Sequence, residues 1–224
     1  MPYFHSPALD GLGLKHATDK SSGPRGHDFL RKYEFFLKPW QNEAFTLLEL
    51  GVYMGASLRM WADYFPRAAI IGTDIEPQAL DSRTERLQII LGDLSQPDFL
   101  ESLIPLGASI IIDDASHWWP DQLRSLLVLY PALPGGGLYI IEDIHTSFPP
   151  LDKLFQAGFE TPPFFLMQKL AEYLTGNLSP APIVRDQELK PIARSPVFHE
   201  ELLFLARRTD AVIFLERACL LIKK

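Results

Sequence analysis

Five apolar runs that end in acidic side chains limit this chain to very few folds. Residues 45–50 carry Glu49 next to their end, 68–74 end on Asp74, and 87–93 end on Asp93. The run that closes at Ile112 is followed by Asp113 and Asp114, and residues 138–141 lead straight into Glu142 and Asp143. Ser109-Ile-Ile-Ile112 has no charge and suits a strand buried on both faces, as parallel sheets require. Between the runs, apolar side chains recur at helical spacing: Leu58, Trp61, Ala62 and Phe65, then short stretches at 78–86 and 99–103. Leu123, Leu126, Leu127 and Tyr130 mark another helix, with Pro120 suited to its N-terminus. Strands alternating with helices predict an α/β fold, a doubly wound parallel sheet with right-handed crossovers. Ligands bind beyond the carboxyl ends of such strands, which is where these acids collect.

The 224 residues, 47% of them hydrophobic, suffice for one sizeable core rather than two. Residues 1–26, rich in Gly, Pro, Ser and His, read as an irregular N-terminal arm of the kind that frays. One domain is expected over 27–224. It opens with a helix marked by Phe29, Leu30, Tyr33, Phe36 and Leu37 and stopped by Pro39. A Pro- and aromatic-rich insertion follows the fifth run, over 148–182, with helices near 167–174 and 198–208. Residues 211–215 and 219–222 read as an antiparallel hairpin closed by a tight turn at 216–218.

The net charge of -7 and the scatter of Lys and Arg exclude a nucleic-acid footprint. No run approaches the ~20 apolar residues of a membrane span, and the first residues hold no apolar leader core. Cys219 is the single cysteine, so a disulfide framework and a cysteine metal cluster are both out. A soluble, cytoplasmic protein is expected.

A glycine turn after the first strand, with acids at Asp74 and Asp93, fits a nucleoside-containing cofactor lying across the strand ends. A dinucleotide is one candidate, because Asp74 lies about 20 residues beyond the turn, where a ribose-binding acid belongs. The turn itself disagrees: Tyr53 stands between Gly51 and Gly55, which leaves a pyrophosphate nest incomplete, and Glu49 repels phosphate. A carboxylate there suits a cofactor bearing an ammonium and a sulfonium, which points to S-adenosylmethionine. Any one of these acids alone could be only a helix cap.

Glu49-Leu-Gly-Val-Tyr-Met-Gly55 resembles the first motif of the class I S-adenosylmethionine-dependent methyltransferases, with Tyr53 where a glycine is usual. The terminal hairpin matches their antiparallel last strands. More narrowly, Thr18-Asp-Lys20, Gly55-Ala-Ser-Leu-Arg-Met-Trp61, Asp113-Asp-Ala-Ser-His117 and Glu142-Asp143 resemble the metal-dependent sugar O-methyltransferases of macrolide and polyketide antibiotic biosynthesis. Ala115 departs from their usual glycine, and those enzymes carry an additional N-terminal region. The resemblance implies a mostly parallel, seven-stranded, Rossmann-like methyltransferase sheet, S-adenosylmethionine, and Mg2+ or another hard divalent cation. It places Glu49 at the cofactor's amino-acid end, Asp74 on the ribose, Asp93 and Leu94 near adenine, and Gly51, Ser57 and Asp113 around them, with Thr18 closing from the arm. It gives the metal to Asp114, Glu142 and Asp143, proton removal to His117, and the acceptor role to a hydroxyl of a sugar or secondary metabolite. The 148–182 insertion then lies on the acceptor side, and a homo-oligomer is compatible.

In that fold the fourth and fifth strands are neighbours about 5 Å apart, so Asp114, Glu142 and Asp143 converge. Three carboxylates so close repel one another unless a cation or protons intervene. Oxygen ligands without cysteine select magnesium first, then calcium or manganese. The plainer reading makes these acids helix caps or solvated loop charges, and His117 a hydrogen-bonded residue of a helical first turn. His145 is the second candidate base. Trp118, Trp119, Phe148 and the aromatics of 159–165 either wall an acceptor pocket or pack the core. Pro149, Pro150, Pro162 and Pro163 suggest a stiffened flap. A metal-independent methyltransferase and a non-catalytic cofactor-binding subunit remain alternatives at this point.

Overall fold

The computed structural model describes residues 7–82, 84, 86–176 and 196–224. Helices α1 (Pro7–His16) and α2 (Leu30–Leu37) precede β1 (Thr46–Leu50), α3 (Ala56–Tyr64), β2 (Ala69–Asp74) and β3 (Leu87–Leu91). Then come α4 (Pro97–Leu103), β4 (Ala108–Asp113), α5 (Trp119–Leu129) and β5 (Leu138–Ile141). The chain ends with α6 (Asp152–Phe155), α7 (Pro163–Leu174), α8 (Pro196–Ala206), β6 (Thr209–Leu215) and β7 (Ala218–Lys223). The seven strands form one sheet in the order β3-β2-β1-β4-β5-β7-β6. β1 to β5 pair in parallel, whereas β7 runs antiparallel to both β5 and β6. The expected α/β class, the seven strands and the terminal hairpin all stand.

Between β1 and β4 the winding reverses, which opens a crevice at the carboxyl ends of these two strands. Register brings their ends level: Leu50 pairs with Asp113, and Asp113 with Ile141. Two apolar layers sandwich the sheet. Leu47, Ile110, Ile112, Leu138 and Ile140 face α1, α2 and α3, packing with Leu9, Leu30, Tyr33, Leu58 and Trp61. Leu48, Leu50, Ile111, Tyr139 and Ile141 face α4, α5, α7 and α8. This alternation follows from the two-residue period of a strand, and it decides where each terminal acid points.

The N-terminal segment corrects the sequence reading. Residues expected to form an irregular arm instead form α1, which packs on α2 and α3 through the buried Leu9. Gly11 and Gly13 depress helix propensity and hid this helix, but Gly13 serves close packing: a Cβ there would run into Leu30. Asp10 anchors the following turn by accepting the Ser22 amide at 2.8 Å and its hydroxyl at 2.6 Å. The 148–182 insertion is described only to residue 176, and 177–182 lie outside the described residues. Within it α7 begins at Pro163, four residues before the expected start at 167. Among the described residues no helix is long and apolar enough to cross a membrane.

Candidate active site

The turn after β1 is built for close approach. Gly51 has φ 80, and a Cβ there would meet the carbonyl of Asp114 and lie 2.6 Å from the Cα of Ala115, so only glycine lets the β1 and β4 ends pass. Asp74 holds the turn from the neighbouring strand. Its Oδ2 accepts the amides of Val52 at 2.9 Å and Tyr53 at 2.8 Å, and its Oδ1 accepts that of Glu76 at 2.9 Å. Asp93 lies two residues beyond β3 and accepts the Ser95 amide at 2.8 Å, which holds its carboxyl below the usual carboxylate range.

These elements line a cleft of about 540 Å³, and Thr18, Gly51, Ser57, Asp74, Asp93 and Leu94 all stand on its wall. Residues 17–20 cover one side of it, so the N-terminal segment belongs to the site. Two residues assigned to the cofactor from sequence stand off this wall. Glu49 is fully buried behind it, where burial pushes its carboxyl up, and it accepts the hydroxyl of Ser57, itself a residue of the wall, at 2.7 Å. Asp113 is the larger departure. It shares the face of Ile111, points toward α5, and accepts the Tyr139 hydroxyl at 3.0 Å on the far side of the sheet. Burial pushes its carboxyl up to about 7.

The same pleat sends Glu49, Asp114 and Glu142 to the opposite face, two residues on from Leu47, Ile112 and Ile140. A cation does stand among them, and it is Lys20. Its ammonium pairs with Asp114, with Glu142 at 2.7 Å and with Glu49 at 3.5 Å, and the residue is 1% exposed. Burial acts to lower the Lys20 pKa, but the Asp114, Glu142 and Glu49 carboxylates outweigh it and hold the group charged, well above its ordinary value. Burial likewise pushes Glu142 up, against the Lys20 charge, while its Oε1 has no hydrogen-bond partner.

Beside this cluster lies a second one centred on Asp143, whose backbone is left-handed at φ 52. His117 Nε2 lies 3.3 Å from Asp143 Oδ2 and 3.9 Å from Asp114 Oδ1. His145 and His27 approach Asp143 Oδ1 at 3.6 and 3.7 Å. His117 itself has φ 57 and precedes α5 by two residues, so it is a loop residue rather than part of a helical first turn. One ligand atom from each of Asp114, His117 and Asp143 falls within 4.8 Å of the others, a geometry that can hold a metal ion. The buried Asp143 Oδ1 also lacks a hydrogen-bond partner. Carboxylate oxygens with unspent lone pairs fit a hard divalent cation. Glu142, expected from sequence to share the metal with Asp114 and Asp143, meets Asp114 through the Lys20 ammonium that both acids pair with.

Around these clusters Trp118, Phe148, Phe159 and Phe165 are exposed, whereas Trp119 is buried with its indole N–H donating to the Thr146 carbonyl at 3.3 Å. The Phe155 ring lies 6.4 Å from that of His117. Sequence reasoning named no role for Lys20 or His27. A lysine in a polar, glycine-rich stretch looks solvated, and the one signal was its place in the Thr18-Asp-Lys20 motif.

No family model matches the chain. Among curated proteins it is 32% identical over 225 residues to 8-demethyl-8-alpha-L-rhamnosyl tetracenomycin-C 2'-O-methyltransferase of Streptomyces olivaceus, covering 92% of this chain and 56% of that protein. It is 34% identical over 153 residues to mycinamicin VI 2''-O-methyltransferase of Micromonospora griseorubida, covering 64% of this chain and 38% of that one. Among solved structures, the MycE methyltransferase of the mycinamycin pathway, in complex with Mg, SAH and mycinamycin VI, superposes with a TM-score of 0.76. That match has 25% identity over 98% of this chain and 55% of MycE. The chain spans about half the length of these relatives or less. By sequence and by its seven-stranded sheet, the chain has the α/β methyltransferase fold and is homologous to the sugar O-methyltransferases of antibiotic biosynthesis.

Proposed function

We propose that this chain carries the catalytic site of an S-adenosylmethionine-dependent, divalent-metal-assisted O-methyltransferase acting on a sugar hydroxyl of a glycosylated small molecule, in the cytoplasm. One observation carries the reading: Asp114 belongs both to the wall of the 540 Å³ cleft and to the Asp114–His117–Asp143 group, so methyl donor and acceptor meet there. Asp74 and Asp93 at the strand ends bind the ribose and adenine ends, and Glu49 acts through Ser57 on the amino-acid end. Magnesium would be held by the carboxylates of Asp114 and Asp143, where it would supply positive charge that acidifies the acceptor hydroxyl. Imidazole is a poor ligand for so hard an ion, which leaves His117 free for proton work.

His117 Nε2 takes the hydroxyl proton, and Asp143 Oδ2 at 3.3 Å steadies the imidazolium that results. The acceptor oxygen forms its bond to the methyl carbon as the carbon–sulfur bond of the sulfonium breaks, leaving a neutral thioether. Residues 17–20 exclude water on the donor side, and the exposed Trp118, Phe148 and Phe165 offer flat apolar faces to the sugar and aglycone. Incubating the purified chain with S-adenosylmethionine, Mg2+ and rhamnosyl- or olivosyl-polyketides tests the reading by mass spectrometry. A product heavier by one methylene on the sugar supports it, and cofactor binding without transfer to any glycoside refutes it. The Lys20 ammonium favours a second reading, in which the lysine alone relieves carboxylate repulsion and transfer is metal-independent.

A further inference from the structure

We propose that the hydrogen bond between Ser116 and Asp121 aims the His117 ring, which makes both side chains positioning residues for proton removal; this rests on the reading of His117 as the base. A catalytic imidazole is ordinarily oriented through its second nitrogen. Here the buried Nδ1 of His117 has no hydrogen-bond partner, while Nε2 is the atom turned to Asp143 and Asp114. The backbone must therefore aim the ring. It holds His117 at φ 57, a left-handed conformation that a residue with a Cβ keeps only where its surroundings impose it.

Side chains impose it. Among the described residues, no backbone amide or carbonyl of Ala115, Ser116 or His117 pairs with another backbone group. Ser116 supplies the anchor instead: its hydroxyl donates to Asp121 Oδ2 at 2.7 Å and accepts the Trp118 amide at 3.3 Å, so His117 is bracketed on both sides. Asp121 is the fixed end of this link. It stands in the first turn of α5, its amide donates to the Trp118 carbonyl at 3.0 Å, and Leu123, Leu126 and Leu129 seat α5 in the core. The Arg124 guanidinium donates to the other oxygen, Oδ1, at 3.0 Å, which leaves Oδ2 to Ser116. These contacts use no oxygen of Asp114, Glu142 or Asp143, so the link and a bound ion do not compete. An acid here also favours the α5 dipole and pairs with Arg124 at i,i+3, a purely structural role that the test must separate.

Methyl transfer and the His117 ring signal in proton–carbon NMR, followed in Ser116→Ala, Asp121→Ala, Asp121→Asn and Arg124→Met, make that separation. The two alanine variants should each lower kcat at least about tenfold, within the cost of a displacement near 1 Å, while glycoside KM and S-adenosylhomocysteine affinity change less than about threefold. Combining them should cost little more than either alone, because the same bond is lost each time. Asp121→Asn keeps an acceptor for the Ser116 hydroxyl, and Arg124→Met removes the helix ion pair but spares that bond; both should keep kcat within about threefold of wild type. Unchanged kcat in the alanine variants, an equal loss in Arg124→Met, no recovery in Asp121→Asn, or a fall in cofactor affinity as large as the fall in kcat overturns the proposal. The ring signal of His117 should shift or broaden in both alanine variants and hold in Arg124→Met. Should wild type methylate no glycoside, the functional reading fails and the ring signal decides alone: the same resonance in wild type, Ser116→Ala and Asp121→Ala overturns the positioning role. Should Asp121→Ala fail to fold, Ser116→Ala carries the test from an exposed position.

Discussion

Replacing Asp113 by Asn should make the protein more stable in mild alkali and leave it unchanged in acid. Asp113 is 1% exposed, and burial raises its carboxyl from the ordinary 3.8 to about 7, partly offset by the hydrogen bond from Tyr139. A carboxyl whose folded pKa lies above its unfolded one favours folding while it is protonated. That contribution is complete below about 3.8 and is lost as pH rises through about 7. The separation corresponds to roughly 4 kcal/mol, at about 1.4 kcal/mol per pH unit. An asparagine amide is neutral at every pH and still accepts from the Tyr139 hydroxyl, so the variant escapes the loss. Thermal unfolding of both proteins followed by circular dichroism should give similar Tm values near pH 4. By pH 8.5 the variant should lead by roughly 10 °C, given about 2–4 °C per kcal/mol in a chain of this size. Taking the difference between the proteins removes the other buried acids from the comparison. Parallel Tm curves would refute the buried placement of Asp113. Cofactor affinity should be unchanged in the variant, because this side chain stands off the cleft wall.

His117→Ala should lower methyl transfer by about 100-fold or more, the usual worth of a positioned base, while S-adenosylhomocysteine affinity measured by calorimetry holds; retained turnover would remove His117 from the mechanism. Gly51→Ala forces φ 80 on a residue with a Cβ, at about 1–2 kcal/mol, and drives that carbon into the Asp114 carbonyl, so Tm should fall and cofactor affinity drop at least tenfold. Unchanged affinity would show that the β1 turn does not shape the cleft. Dialysis against EDTA should abolish transfer and Mg2+ should restore it, whereas activity that survives chelation selects the metal-independent reading.

Most of the fold was legible because its signals are local and redundant. Each of β1 to β5 is an apolar run ended by an acid or a glycine, and the helices between them repeat at 3.6 residues. The remaining elements have weak local signals. α1 carries two glycines in ten residues, so propensity argued against it, and its stability comes from burying Leu9 against α2 and α3. α7 starts four residues before its expected position because Pro163 resembles a break, although a proline is well suited to the first turn of a helix.

The strand ends that line the candidate cleft were legible but its geometry was not, and strand parity explains the difference. Asp113 and Asp114 are equivalent to a reader who knows only that a strand ends there, yet one residue of displacement puts them on opposite faces. Parity was available, since Ile110 and Ile112 share a face with the residue two beyond them, and it assigns Asp114 to the cleft and Asp113 to the core. The same rule brings Glu49 and Glu142 to Asp114's side and creates a concentration of negative charge that a sheet cannot leave uncompensated. Repulsion among three carboxylates calls for a cation or for protons but cannot say which. That choice depends on a contact between residues 20 and 142, held by the turn between α1 and α2, and nothing in the spacing of either segment encodes it. A buried lysine from a glycine-rich stretch supplies the charge that pairs with all three acids.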